Sequence, residues 1–350
     1  MRYPKDLQQG GQIGFPAPSC GNGYEPYFSA FNNGLKNFEK LGYKVNPGPN
    51  AYKQDGIGIS TIPEDCGNEL TDMYLDEAND VLISCAGGEL MCEILEYVDF
   101  DKIKDAQPKW YMGFSDNTNM TYLLATICDI ASIYGPCAGS FGMEPWHEAI
   151  QDALDLLTGK NRTMHSYGLW EKDSFKDENH PLDPYNVTEP LEMKVYDKGE
   201  LIMDPAAAAT KVQIEGRLLG GCMDCLVNLL GTEFDHTKEF LEKYKEDGII
   251  WFLEACDLNV FSIRRAMWQM EKAGWFQYVK GFLFGRPANG DFVWTLDRYQ
   301  AVLKVAAKYN VPVIMDMDIG HMSPMMSLVV GSMAKVELEG NSASIVMEYN

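Results

Sequence analysis

Through the first 135 residues, short apolar runs alternate with stretches whose apolar positions recur at helical spacing, a pattern that predicts a parallel sheet covered by helices. QIGFPAPS at 12–19 predicts a strand. Phe28, Phe31, Leu35, Phe38 and Leu41 then fall three or four apart, predicting a helix over 26–41 that stops at Gly42. DVLISCAGG at 80–88 predicts a strand entering a glycine turn, with a helical ELMCEILEYV behind it. The WYMGF strand, a helix over 117–129 and the ASIYGP strand complete the region. From about 160 to 208 the periodicity dissolves into polar, proline-punctuated sequence studded with aromatics, which predicts a linker or lid rather than a core element. A second α/β region follows, with strand-like runs at KVQIEGRLLGG, GIIWFLEA, VKGFLFGRP and VPVIMDMDIG and helical patterns over 259–273 and 295–309. The last residues alternate around Glu339-Gly340-Asn341-Ser342 and predict a hairpin. The expected division is 1–160, a 161–208 insert, and 209–350.

Two domains of ordinary size fit 350 residues, each able to bury its own core. With 29 basic against 51 acidic residues the net charge is −22, which argues against nucleic acid or an anionic membrane surface as partner. The first residues lack an apolar signal-like stretch and no run approaches a membrane span, so the expectation is a cytoplasmic protein. Nine cysteines scattered through apolar segments fit reduced thiols better than a disulfide framework. Cys222 and Cys225 form a lone Cys-x-x-Cys with no second pair, a pattern that one face of a helix also explains.

In an open α/β sheet the functional crevice lies beyond the carboxyl ends of the strands. Ser115 follows WYMGF there, Gly87-Gly88 follow DVLISCA, Glu254 ends IIWFLE, and His321 follows VPVIMDMDIG. A serine hydroxyl needs a base to take its proton, and the base needs a third group to orient it. Ser115, His321 and Glu254 supply those three parts. Backbone N–H groups of Gly88 and Asp116 are candidate donors to the oxyanion. Two alternatives stand beside this reading. Ser115 sits where a residue that merely starts the next helix would sit, and Asp316, Asp318 and His321 have the chemistry of metal ligands.

With these residues in place, the chain resembles the LD-carboxypeptidase family of serine peptidases, which includes the microcin C self-immunity proteins. The resemblance runs over roughly residues 10–340 and rests on GFPAPS, AGGELMCEILEYVDFDKI, MGFSDNTNMTYLL, GRLLGGCMDCLVNLLGT, WFLEACD and DIGHMSP. It implies a Rossmann-like N-terminal domain, a smaller mixed C-terminal domain with the active site at their junction, and a homodimer. It also implies nucleophile, acid and base at Ser115, Glu254 and His321. The sequence offers no convincing ligand cluster, so no metal or organic cofactor is expected. Glu89 stands where an aromatic or small polar residue is more usual, and GGCMD replaces a more common asparagine. The aromatic insert around Trp170 to Tyr185 is more like the self-immunity branch. The expected activity is removal of a terminal D-amino acid from a murein tetrapeptide. Cleavage of a peptidyl or aminoacyl nucleotide, with Trp170 or Tyr185 facing the base, is the alternative, and a non-catalytic small-ligand binder is the third.

Overall fold

The computed structural model describes residues 1–203 and 211–349, so the end of the expected insert, 204–208, lies outside the described residues. The chain forms two compact units, Met1–Asn161 with Asp173–Asn186, and Arg162–Lys172 with the chain from Val187 onward.

Five strands of the first unit, Gln12–Phe15, Lys44–Pro47, Val81–Ile83, Tyr111–Gly113 and Ser132–Tyr134, are all parallel. Gln12–Phe15 lies between Lys44–Pro47 and Val81–Ile83, and Tyr111–Gly113 lies between Val81–Ile83 and Ser132–Tyr134. Val81, Leu82 and Ile83 are fully buried, which is why that run is continuously apolar instead of alternating. The expected helix is present as Tyr27–Lys40, and it buries Phe31, Leu35 and Phe38. Phe31 and Phe38 meet Phe15 of the sheet at ring-centroid distances of 5.8 and 5.7 Å. Each such phenyl ring contributes about 2–3 kcal/mol on burial. ELMCEILEYV departs from expectation: Met91–Tyr97 is a 3-10 helix, entered through a Met91 N–H held by the Asp116 carboxylate at 2.9 Å.

The second unit is built on a mixed nine-stranded sheet. Its parallel centre is Lys211–Cys222, Ile249–Glu254, Val279–Gly285 and Val313–Met317. The hairpin Met333–Glu339/Ser342–Glu348 continues it antiparallel from Lys211–Cys222, turning through Gly340 at φ +58°. The stretch expected as a linker adds to this core. Thr163–His165, Lys194–Asp197 and Glu200–Met203 are strands of the same sheet, while Leu169–Glu171 and Val187–Pro190 form a two-stranded ribbon. These strands run only three or four residues, so few of their side chains are buried: Met164 is enclosed while its neighbour His165 is exposed. Alternation that short carries no readable period. No helix among the described residues is long and apolar enough to cross a membrane.

Candidate active site

Ser115 lies in the first unit, at the corner between Tyr111–Gly113 and the 3-10 turn Ser115–Asn117, which leads into the helix Thr118–Thr126. The capping positions of these two helical pieces are Phe114 and Asn117, so Ser115 is not the residue that caps either. Its φ is +63°, a left-handed conformation that costs a non-glycine residue about 1–3 kcal/mol and persists only where the surroundings impose it. Those surroundings are specific. The Ser115 N–H donates to the Tyr134 hydroxyl at 3.2 Å, and the Asn117 side-chain amide donates to the Phe114 and Ala86 carbonyls at 3.2 and 2.9 Å. Asn117 thereby ties the Ala86-Gly87-Gly88 turn to the serine corner. Gly87 is the glycine that faces Ser115: a Cβ there would stand 3.5 Å from the serine Oγ. Gly88 packs instead against Ser19 and the Gly58 carbonyl.

Asp116 is buried, accepting from the Ser19 hydroxyl at 2.6 Å, from Met91 N–H and from Asn119. Burial pushes its carboxyl up to about 6, against the lowering effect of those donors. Glu89 is exposed, with its N–H on the Gly58 carbonyl at 2.9 Å.

Glu254 and His321 belong to the second unit. Glu254 is the last residue of Ile249–Glu254 and is 1% exposed. His321 Nδ1 lies 2.8 Å from its Oε2. Burial opposes charge on the imidazole, but the Glu254 carboxylate and hydrogen bonds with Cys256 and Glu254 outweigh it, holding His321 well above its usual value. Gly320 makes this contact possible: it has φ +91°, and any Cβ would fall 2.4 Å from the Glu254 carboxylate. The loop that carries His321 is braced by Arg286, which donates to the Asp316 carbonyl at 2.8 Å and pairs with the Asp318 carboxylate. On the other side of Glu254, the Asp224 carboxylate accepts the N–H groups of Cys256, Asp257 and Leu258 at 3.0, 2.9 and 3.1 Å.

The metal-ligand alternative is not assembled. Asp316 is taken by Arg298 and the Tyr299 hydroxyl, Asp318 by Arg286 and the Tyr167 N–H, and His321 turns to Glu254. Trp170 and Tyr185, neighbours in the insert, go to different units. The Trp170 ring lies over Arg286, 5.0 Å from ring centroid to guanidinium carbon, and the next residue donates its N–H to the Ser323 carbonyl at 2.7 Å. Tyr185 packs on His147 with ring centroids 5.5 Å apart. Sequence reasoning missed Asn117, Asp224 and Arg286, because each acts through partners far away in the chain.

Two family models match, described as the LD-carboxypeptidase N-terminal domain over residues 13–135 and the LD-carboxypeptidase C-terminal domain over 215–336. The chain belongs to the LD-carboxypeptidase family. This is a family of peptidases, and two of its curated relatives span most of the chain. The microcin C7 self-immunity protein MccF of Escherichia coli is 25% identical over 323 residues, 91% of this chain and 88% of the relative. The "probable murein peptide carboxypeptidase" of Bacillus subtilis is 23% identical over 345 residues, 98% and 93% of the two chains. Among solved structures, an MccF-like protein from Bacillus anthracis aligns with TM-score 0.78 at 21% identity, over 99% of this chain and 100% of that one. MccF in complex with aspartyl sulfamoyl adenosine aligns with TM-score 0.79 at 21% identity, over 100% and 99%. At such identities the likeness shows the fold.

Proposed function

We propose that the protein is a serine hydrolase in which Ser115 attacks an acyl carbon, His321 takes its proton and returns it to the leaving amine, and Glu254 holds the imidazole. The observation that carries the reading is the buried Glu254 carboxylate on His321 Nδ1 at 2.8 Å, which leaves Nε2 as the proton-accepting atom. The left-handed φ of Ser115 at a strand-to-helix corner supports it, since such strain in a non-glycine residue concentrates at reacting positions. Backbone N–H groups around Gly88 and Asp116 serve the oxyanion in this reading, and no metal or organic cofactor takes part.

For the substrate, an aminoacyl or peptidyl nucleotide is now favoured over the murein tetrapeptide first expected. Trp170 supports this choice. Its ring is held by Arg286 and by a strand bonded to the loop of His321, so it offers a fixed aromatic surface beside the base. Base stacking on such a surface is worth about 1–3 kcal/mol. The neighbour solved with aspartyl sulfamoyl adenosine has chemistry of this class. Murein tetrapeptide cleavage is the second reading, supported by the Bacillus subtilis relative. In either case the assembly is read as a homodimer in the cytoplasm.

Hydrolysis of an L,D-tetrapeptide and of an aminoacyl-sulfamoyl adenosine, compared for wild type and Trp170→Ala, tests the choice. The nucleotide analogue is expected to be the better substrate, and its KM alone to rise about tenfold in Trp170→Ala. Preference for the tetrapeptide reverses the order, and hydrolysis of neither removes both.

A further inference from the structure

Cys222 and Glu254 are register partners at the ends of neighbouring parallel strands, and His321 arrives beside them through Gly320. The Cys222 Sγ, a carboxylate oxygen of Glu254 and a ring nitrogen of His321 all lie within 4.8 Å of one another. Among the described residues this is the one such group of three or more His, Cys, Asp and Glu side chains. Cys222 and Glu254 are each 1% exposed, whereas the His321 side chain is 17% exposed and leaves an approach open.

Thiolate, imidazole and carboxylate are the donors zinc prefers, at about 2.3 Å for sulfur and about 2.0–2.2 Å for nitrogen and oxygen. A tetrahedral ion on three such ligands holds them about 3.3–3.6 Å apart. To reach that spacing the 2.8 Å contact between His321 and Glu254 opens by about half an ångström, as it must when an ion replaces the shared proton, and the sulfur, within 4.8 Å of both, closes onto the ion. A second carboxylate, Asp224, lies 3.4 Å from the Cys222 sulfur, so the local field favours a cation.

We infer that Cys222, Glu254 and His321 form a zinc-binding site whose occupation switches the hydrolase off. Cys222 ligates as a thiolate and the imidazole as a neutral ring, their protons passing to solvent, and water takes the open fourth position. Bound zinc withdraws both the carboxylate and the imidazole from serine activation, whichever ring nitrogen it takes. Binding stands independently of the hydrolase reading, and only the inhibition rests on it.

The test begins with titration of the metal-free, fully reduced chain with Co²⁺, followed by zinc competition against a chromophoric chelator. One equivalent should bind with a thiolate-to-cobalt charge-transfer band. Cys222→Ser should lose the band and weaken zinc about tenfold or more, and Cys225→Ser should keep both. Absence of the band in wild type overturns the site without recourse to any variant, as does a band retained in Cys222→Ser or lost only in Cys225→Ser. Zinc should also inhibit wild-type hydrolysis with the midpoint found for binding, and inhibit Cys222→Ser only at about tenfold higher concentration relative to that variant's own zinc-free rate. Stoichiometric binding with undiminished turnover refutes the inhibition alone, whereas a chain that binds zinc and hydrolyses nothing refutes the catalytic reading and leaves the site.

Discussion

At His321 two effects oppose each other on one imidazole: burial disfavours its charge, while Glu254 and Cys256 favour it, and the second prevails. A base must be neutral to accept the serine proton, so kcat/KM measured with chelator present should rise with pH, its ascending limb above pH 6.5, the ordinary value for histidine. Glu254→Gln should move that limb down while lowering the plateau; a limb that stays in place rejects Glu254 as the controlling charge. The linked stability has a definite sign. The raised imidazole stabilises the fold fully below about pH 6.5 and loses that contribution as pH rises through its folded value. Asp116 behaves the same way in a lower window, because its carboxyl is also raised, from 3.8 to about 6. Wild-type stability relative to Asp116→Asn should fall by roughly 2 kcal/mol between pH 4 and pH 7 in denaturant unfolding, and a difference independent of pH would contradict the burial argument. Ser115, Glu254 and His321 were legible as candidates because each stands at the carboxyl end of an apolar run. The left-handed φ of Ser115 was not, because it depends on Tyr134 and Asn117 closing around the corner.

Long apolar or regularly spaced runs became the elements they predict, as in Tyr27–Lys40, Ile249–Glu254 and Val260–Lys272. What the pattern hid was irregularity with a cause elsewhere. Within Val313–Met317 the register against Val279–Gly285 shifts, and Asp316 adopts φ +63° where Arg298 and Tyr299 grip its carboxylate. Gly320, in the loop that carries His321, permits a test confined to one element. Gly320→Ala should cost about 1 kcal/mol or more through its left-handed backbone, and it should abolish turnover by displacing Glu254. Turnover near wild type would mean that the Glu254 contact is dispensable. Asp224→Ala should release the three N–H groups of residues 256–258 and destabilise the unit by roughly 2 kcal/mol, read as a lowered Tm.

For the whole molecule, two α/β units followed from length and alternation, whereas the contribution of the insert to a nine-stranded sheet did not, because its strands are too short to show a period. The charge of −22 acts at this scale as well. It repels a substrate bearing a free carboxylate, so kcat/KM should rise as added salt shortens the Debye length from about 30 Å at 0.01 M to about 8 Å at 0.15 M. A fall with salt would indicate local cationic steering strong enough to overcome the net charge. The central claim makes Ser115 the nucleophile and His321 its base, and its most direct measurement is labelling with a fluorophosphonate followed by peptide mapping. A single adduct on Ser115 is expected, lost in Ser115→Ala and slowed about a thousandfold or more in His321→Ala, with both variants folded by circular dichroism. An adduct on another residue, or undiminished labelling in His321→Ala, would contradict the claim.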